Sequence, residues 1–226
     1  AAMERSRQRG VDPRFELKHA YYGPNFEDEE IETALSKVKV AYKRIDRNDV
    51  GEIADLLVEK NVVGLYTGRN EFGARALGAR SILADPRHAD MLDIVNASVK
   101  FREPWRPFAP VILEGYEDEY FVDGRPSRFM MKAFTVREEK RHEIPAVVHV
   151  DGTCRPQSIS REWNPLYHDI LTAFHQKTGV PVLLNTSFNV RGEPIVCRPI
   201  EALRCYMGTG MDALVIGSFL LKKADL

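Results

Sequence analysis

The stretch Val180-Pro181-Val182-Leu183-Leu184-Asn185-Thr186-Ser187-Phe188-Asn189-Val190-Arg191-Gly192-Glu193-Pro194 changes character halfway along. Val180 to Leu184 is an apolar run of strand length, and small polar residues follow it into a glycine turn. A strand that opens straight into such residues is the end of a sheet facing a crevice, where α/β proteins place polar ligands. Upstream, Asn164-Pro165 is an N-cap with proline at the first helical position; the helix runs through Ile170, Leu171 and Phe174 and stops before Gly179. Downstream, Pro199 opens a helix through Ala202, Leu203 and Tyr206, and Ala213 to Ile216 is a strand before Phe219-Leu220-Leu221.

The same alternation fills the earlier part of the chain. A helix follows the carboxylates Glu27 to Glu30, with Ile31, Leu35, Val38 and Tyr42 at helical spacing, and another runs from Asn48 as N-cap to Lys60. Val62 to Tyr66 is a buried strand, 67–80 a Gly- and Arg-rich loop, 88–99 a helix, Phe108 to Ile112 a strand and 116–121 a short acidic helix. The interval 122–145 is polar and irregular and is expected to be a mobile flap or an insertion, and Ala146 to Val150 is a further strand. Strands and helices taking turns predict an α/β fold, a mixed twisted sheet flanked by helices.

Composition narrows the function. Among 226 residues, 32 Lys and Arg balance 33 Asp and Glu, which argues against a basic nucleic-acid coat; any anion must meet a local cluster. No apolar run reaches the roughly 18 residues that span a bilayer. Cys154, Cys197 and Cys205 are odd in number and lack CxxC spacing, so neither a disulfide framework nor a zinc knuckle is expected, and the setting is read as reducing and cytoplasmic. Ala1 to Arg9 lacks the apolar core of a secretory signal. Residues 1–20 are read as a linker or the tail of an upstream domain, and 21–226 as one domain.

Four segments carry candidate chemistry. Gly68 to Ser81 holds three glycines and Arg69, Arg75 and Arg80, a composition suited to an oxyanion, although it is neither GxGxxG nor GxxxxGK[ST]; the plain alternative is solvated charge on a helix face. In Lys100-Phe101-Arg102-Glu103-Pro104-Trp105-Arg106, an extended backbone would project Lys100 and Arg102 from one face toward a phosphate. Thr186, Ser187 and Asn189 offer hydroxyl and amide groups for phosphates, or else satisfy a plain turn. His149 to Gln157 adds Arg155 as a phosphate contact; His149 is a lone strand histidine, Cys154 has no identifiable base, and no spacing indicates a metal site.

Taken together, Gly68-Arg69, Glu71 to Arg87, Lys100-Phe101-Arg102-Glu103, Arg106 to Pro110, His149 to Thr153 and Asn185 to Asn189 resemble the carboxy-terminal, YrdC-like domain of the NodU/CmcH (TobZ-like) O-carbamoyltransferase family. The resemblance covers nearly the whole chain from Tyr22. Lys100-x-Arg102 and Ser187-x-Asn189 are also similar to the KxR and SxN pairs of YrdC-type threonylcarbamoyl-adenylate synthases. The resemblance implies carbamoyl activation: carbamoyl phosphate and ATP, with Mg²⁺, give carbamoyl-adenylate, phosphate and pyrophosphate, and the activated group passes to a hydroxyl acceptor. In that scheme Lys100, Arg102, Arg75, Arg106 and Arg155 act by electrostatic stabilisation, Arg69, Thr186, Ser187 and Asn189 bind substrate or ATP, and the 122–145 flap is a lid.

Full-length members of that family resemble a fusion with an amino-terminal ASKHA-type domain that carries a metal and transfers the carbamoyl group. No counterpart of it occurs here, so this chain is expected to make the adenylate or bind its precursors only. The alternative is a noncatalytic nucleotide- or RNA-binding YrdC-like module. Balanced charge, with the arginines in short segments, favours the small-molecule reading.

Overall fold

The computed structural model describes residues 2–10, 17–46, 49–103 and 105–225; Asn48, expected as an N-cap, lies outside them. In chain order the elements are α1 (Ala2–Gln8), α2 (Asp28–Val38), β1 (Lys43–Arg44), α3 (Val50–Val58), β2 (Val63–Tyr66), β3 (Arg80–Ala84), α4 (Met91–Val95), β4 (Ala109–Leu113), α5 (Glu117–Tyr120), β5 (Phe134–Thr135), β6 (Thr153–Cys154), β7 (Gln157–Ile159), α6 (Pro165–Thr178), β8 (Val182–Ser187), α7 (Pro199–Met207), β9 (Ala213–Ile216) and β10 (Phe219–Lys222). Eight strands form one sheet in the order β1-β10-β9-β2-β3-β8-β4-β7, and β5 pairs with β6 apart from it. The β2–β9 and β4–β7 pairs are parallel and the remaining neighbours antiparallel, so the sheet is mixed, as expected. Helices α3 and α6 pack on each other, as do α2 and α7.

The local signals that predicted helices are present in the structure. Asn164 Oδ1 accepts from the Tyr167 N–H, Pro165 is the first helical residue, and Gly179 ends α6 with φ of 76°. Glu30 reaches back to the Glu27 N–H at the start of α2, and Lys39, at φ 53°, closes that helix before Tyr42, which lies outside it. Strand β8 reaches to Ser187, three residues past Leu184, because Leu83, Ile82 and Ser81 of β3 pair with Asn185, Thr186 and Ser187.

Four expectations change. The 67–80 loop ends one residue early, and Arg80 opens the central strand β3. The helix expected near 88–99 is α4 followed by a wider π-turn, Asn96–Lys100, stopped by Phe101 at φ 47°. The strand expected over 146–150 is not one: Pro145–Val147 is a 3-10 turn, and a tight reversal follows in which the Asp151 carboxylate accepts from the Thr153 N–H and Gly152 takes φ 78°. Ala146 and Val147 are apolar because they are core, without a strand partner. The interval 122–145 is built into the body rather than set apart as a flap. Phe134, Val136 and Ile144 are buried, Tyr120 donates to Glu143, and Lys140 bridges Glu119 and Glu143.

The loop between β2 and β3 is folded around one carboxylate. Glu71, 8% exposed, accepts on Oε1 from the N–H groups of Leu77, Ala79 and Arg80 at 2.7–3.2 Å. Fully buried Arg80 holds the same loop from below, donating to the carbonyls of Thr67, Gly68 and Ala79 with its guanidinium 3.6 Å over the Tyr66 ring. Gly78 sits at the tightest point, at φ 107°, where a Cβ would lie 2.2 Å from the Tyr167 ring. Gly78→Ala is expected to lower unfolding stability by about 2–4 kcal/mol through overpacking and left-handed strain together; a urea titration with an unchanged midpoint would show that the loop yields freely.

Candidate functional site

Two distant segments meet at one ammonium group. The π-turn after α4 delivers Lys100, and the end of β8 delivers Ser187 and Asn189. Lys100 Nζ donates to the Ser187 carbonyl, to Ser187 Oγ at 3.2 Å, and to the Asn189 carbonyl and Oδ1 at 2.9 and 2.8 Å. Ser187 Oγ in turn donates to Asn189 Oδ1 at 2.7 Å. Every partner is neutral and the residue is 4% exposed. Burial pulls the Lys100 pKa down to about 7, with the neighbouring positive charges of Arg102 and Arg106 acting in the same direction.

The extended backbone expected for 100–102 is replaced by the left-handed Phe101, so Lys100 and Arg102 converge through a turn rather than by strand alternation. Arg102 Nε donates to Asn96 Oδ1 at 3.2 Å, and its guanidinium lies 4.4 Å from the Phe108 ring centre. A hollow of about 160 Å³ is lined by Arg75, Arg102, Arg106, Arg155, Thr186 and Ser187, among others. An adjoining one of about 180 Å³ is lined by Lys100, Arg102, Arg106, Ser187, Asn189 and Arg191. Because Arg102, Arg106 and Ser187 line both, the two are halves of one basic cleft. Arg75 and Arg155 form no ion pair or hydrogen bond among the described residues; Arg106 and Arg191 approach Glu103 at 4.0 and 3.3 Å. Burial, then repulsion from Arg75, lowers the Arg155 pKa.

Eight of the nine side chains selected from the sequence therefore line this cleft. Arg69 does not. It lies against a separate hollow of about 360 Å³ walled by His19, Tyr21 and Trp163, where it donates to the Tyr22 carbonyl at 3.2 Å. Arg80, from the same arginine-rich segment, is a structural cation under the loop. Sequence reasoning did not select Asn185, the first polar residue after the apolar run, or Arg191, whose partner Glu103 is remote in the chain. Cys154 is buried and its thiol is held well above the ordinary range by desolvation. Among the described residues no group of three or more His, Cys, Asp or Glu is placed to hold a metal, and no helix is long and apolar enough to cross a membrane.

Comparison with known proteins gives this cleft its context. The chain is 44% identical over 216 residues to nodulation protein NolO of Bradyrhizobium diazoefficiens, a match that covers 93% of this chain and 39% of that protein. Among solved structures, P. abyssi Sua5 complexed with L-threonine superposes with a TM-score of 0.54 at 13% identity, over 78% of this chain and 48% of that one. Full-length HypF in its phosphate- and nucleotide-bound form gives a TM-score of 0.51 at 17% identity, over 82% of this chain and 22% of that one. These likenesses establish the YrdC-like fold. The family model described as the carbamoyltransferase C-terminus matches residues 54–223, and the chain belongs to that carbamoyltransferase family.

Proposed function

We propose that the basic cleft binds ATP and carbamoyl phosphate together and forms carbamoyl-adenylate, for transfer to a hydroxyl acceptor by an ASKHA-type domain outside this chain. The observation that carries the reading is the convergence of Lys100, Arg102, Arg106, Arg75 and Arg155 on one cleft in which Arg75, Lys100 and Arg155 have no carboxylate partner among the described residues. Cations gathered this closely repel one another until a polyanion joins them. Residues 21–226 act as the YrdC-like domain, 1–20 lead into it, and the balanced charge and unpaired cysteines suit a cytoplasmic protein.

In the proposed reaction, water takes the phosphoryl group of carbamoyl phosphate; its P–O bond breaks, and phosphate and carbamate result. A carbamate oxygen then bonds to the α-phosphorus of ATP as the bridging P–O bond to the β-phosphate breaks, its electron pair leaving with pyrophosphate. No protein nucleophile is needed. The chain's part is to hold the anions in line and to stabilise the charge that grows on the leaving group, which fixed guanidinium and ammonium groups do in a partly dry cleft. Ser187 and Asn189, already tied to Lys100, hold its ammonium in place, and Thr186 also lines the hollow. Mg²⁺ would enter with the ATP phosphates and would supply charge neutralisation there, with Ser187 as a nearby oxygen donor.

Lys100→Ala and Arg75→Ala are each expected to lower carbamoyl-phosphate-dependent ATP/pyrophosphate exchange by about tenfold or more with the fold retained; unaltered exchange in both would remove the assigned roles. The isolated chain is expected to carbamoylate no hydroxyl compound at an appreciable rate, and transfer without an added partner would overturn the division of labour. Lys100 also sets a pH dependence. Its pKa is about 7 in the free cleft, and a bound polyanion favours the ammonium form and raises it, so binding takes up a proton. MgATP affinity is expected to be fully expressed below pH about 7 and to fall as pH rises, by up to about tenfold per unit until the raised value is reached. Calorimetric titration of wild type and Lys100→Met across pH 6–9 checks this, since equal slopes in the two would exclude Lys100 as the titrating group.

A further inference from the structure

Nearly every side chain that gives the arginine hollow its polarity is a cation or a hydroxyl, and one is neither. Asn185 sits on β8 two residues before Ser187, so strand alternation puts the two on the same face of the sheet, and Asn185 lines the hollow with Arg75 and Arg155. It is 2% exposed. Its Nδ2 donates to the Ala76 carbonyl at 3.1 Å. A carbonyl can only accept, so this bond fixes which end of the amide is which: the nitrogen faces Ala76 and Oδ1 is the free end. Oδ1 has no hydrogen-bond partner among the described residues.

A buried acceptor without a donor is uncommon in a folded protein, because the group has given up water without compensation. In this place it has a further property. The surrounding arginines serve any oxyanion equally well and cannot tell one acyl phosphate from another. Asn185 lines the hollow beside them, and its acceptor oxygen, closed off from water, repels oxyanion atoms and attracts an N–H. The ligand it complements carries negative oxygens on one side and an uncharged N–H donor on the other.

We propose that Asn185 is a specificity-determining residue that accepts a hydrogen bond from the amide N–H of a small phosphorylated amide, selecting a carbamoyl over an acetyl group. This rests on the reading of the cleft as a carbamoyl phosphate site and deepens it. The Ala76 carbonyl holds the amide in place, and Ala76 adjoins Arg75 in the loop built around Glu71, so the anion contact and the amide contact are fixed to one another.

The test uses two stable phosphonates that differ only in NH₂ against CH₃, phosphonoacetamide and acetonylphosphonate, with inorganic phosphate as a third probe, titrated calorimetrically into the whole chain. The expected result is that wild type binds the amide at least about tenfold tighter than the ketone. In both Asn185→Ala and Asn185→Leu the ratio is expected to fall to about one, while each variant still binds phosphate. A ratio near one in wild type, or one that persists in both variants, overturns the role of Asn185 while leaving the anion cleft standing. Failure of wild type to bind any of the three anions overturns the cleft reading itself.

Discussion

The fold brings two polar segments, 87 residues apart in the chain, together through a single buried ammonium. Lys100 shares its three N–H groups among four oxygens of Ser187 and Asn189, and those contacts fasten the end of a helix to the end of a strand. None of these oxygens carries a full charge. A carboxylate partner would have stabilised the lysine and filled the cleft at the same time, whereas neutral oxygens hold its position and leave its charge available. The cost is borne by the lysine. Between about pH 7 and its unfolded value near 10.4 the unfolded chain binds more protons than the folded one, so the burden that this site places on stability is full below pH 7 and is relieved as pH rises through that window.

Around this joint the protein separates arginines that build from arginines that wait. Arg80 is fully buried, stacked on Tyr66, and bonded to three loop carbonyls, so its charge is consumed in shaping the 67–79 loop. Glu71 does the matching task from the other side, with backbone N–H groups as its partners. With that loop set, Arg75 and Arg155 can be presented without a countercharge. The arrangement is a cleft whose electrostatics are completed by its ligand, which is the condition for oriented charge to act on a developing anion rather than on a resting side chain.

Much of the scaffold was legible because the signals are local. Asn164-Pro165, Gly179 and Pro199 mark helix ends by chemistry confined to a few residues, and each stands where expected. Strand β3 was not legible: it begins with Arg80 and Ser81, whose polar groups are satisfied by the loop itself, through the carbonyls of Thr67, Gly68 and Ala79 and the Gly78 N–H, so the sequence resembles a continuing loop. Ala146 to Val150 failed in the opposite sense, since burial without a pairing partner leaves the same apolar run as a strand. For the site, the residue types were legible and their grouping was not. Arg69 and Arg75 are six positions apart, and only the fold decides that one enters the cleft and the other faces an aromatic hollow. Asn185 was hidden for a related reason, as a polar residue at the end of an apolar run whose meaning lies in what surrounds it.

The most direct test of the central claim is a crystal structure of this chain soaked with ATP, Mg²⁺ and carbamoyl phosphate. The account predicts phosphate oxygens within hydrogen-bond distance of Lys100, Arg75, Arg155 and Ser187, inside the cleft that Arg102 and Arg106 share. Phosphates seated instead in the aromatic hollow beside Arg69, with the cleft holding only solvent, would contradict it.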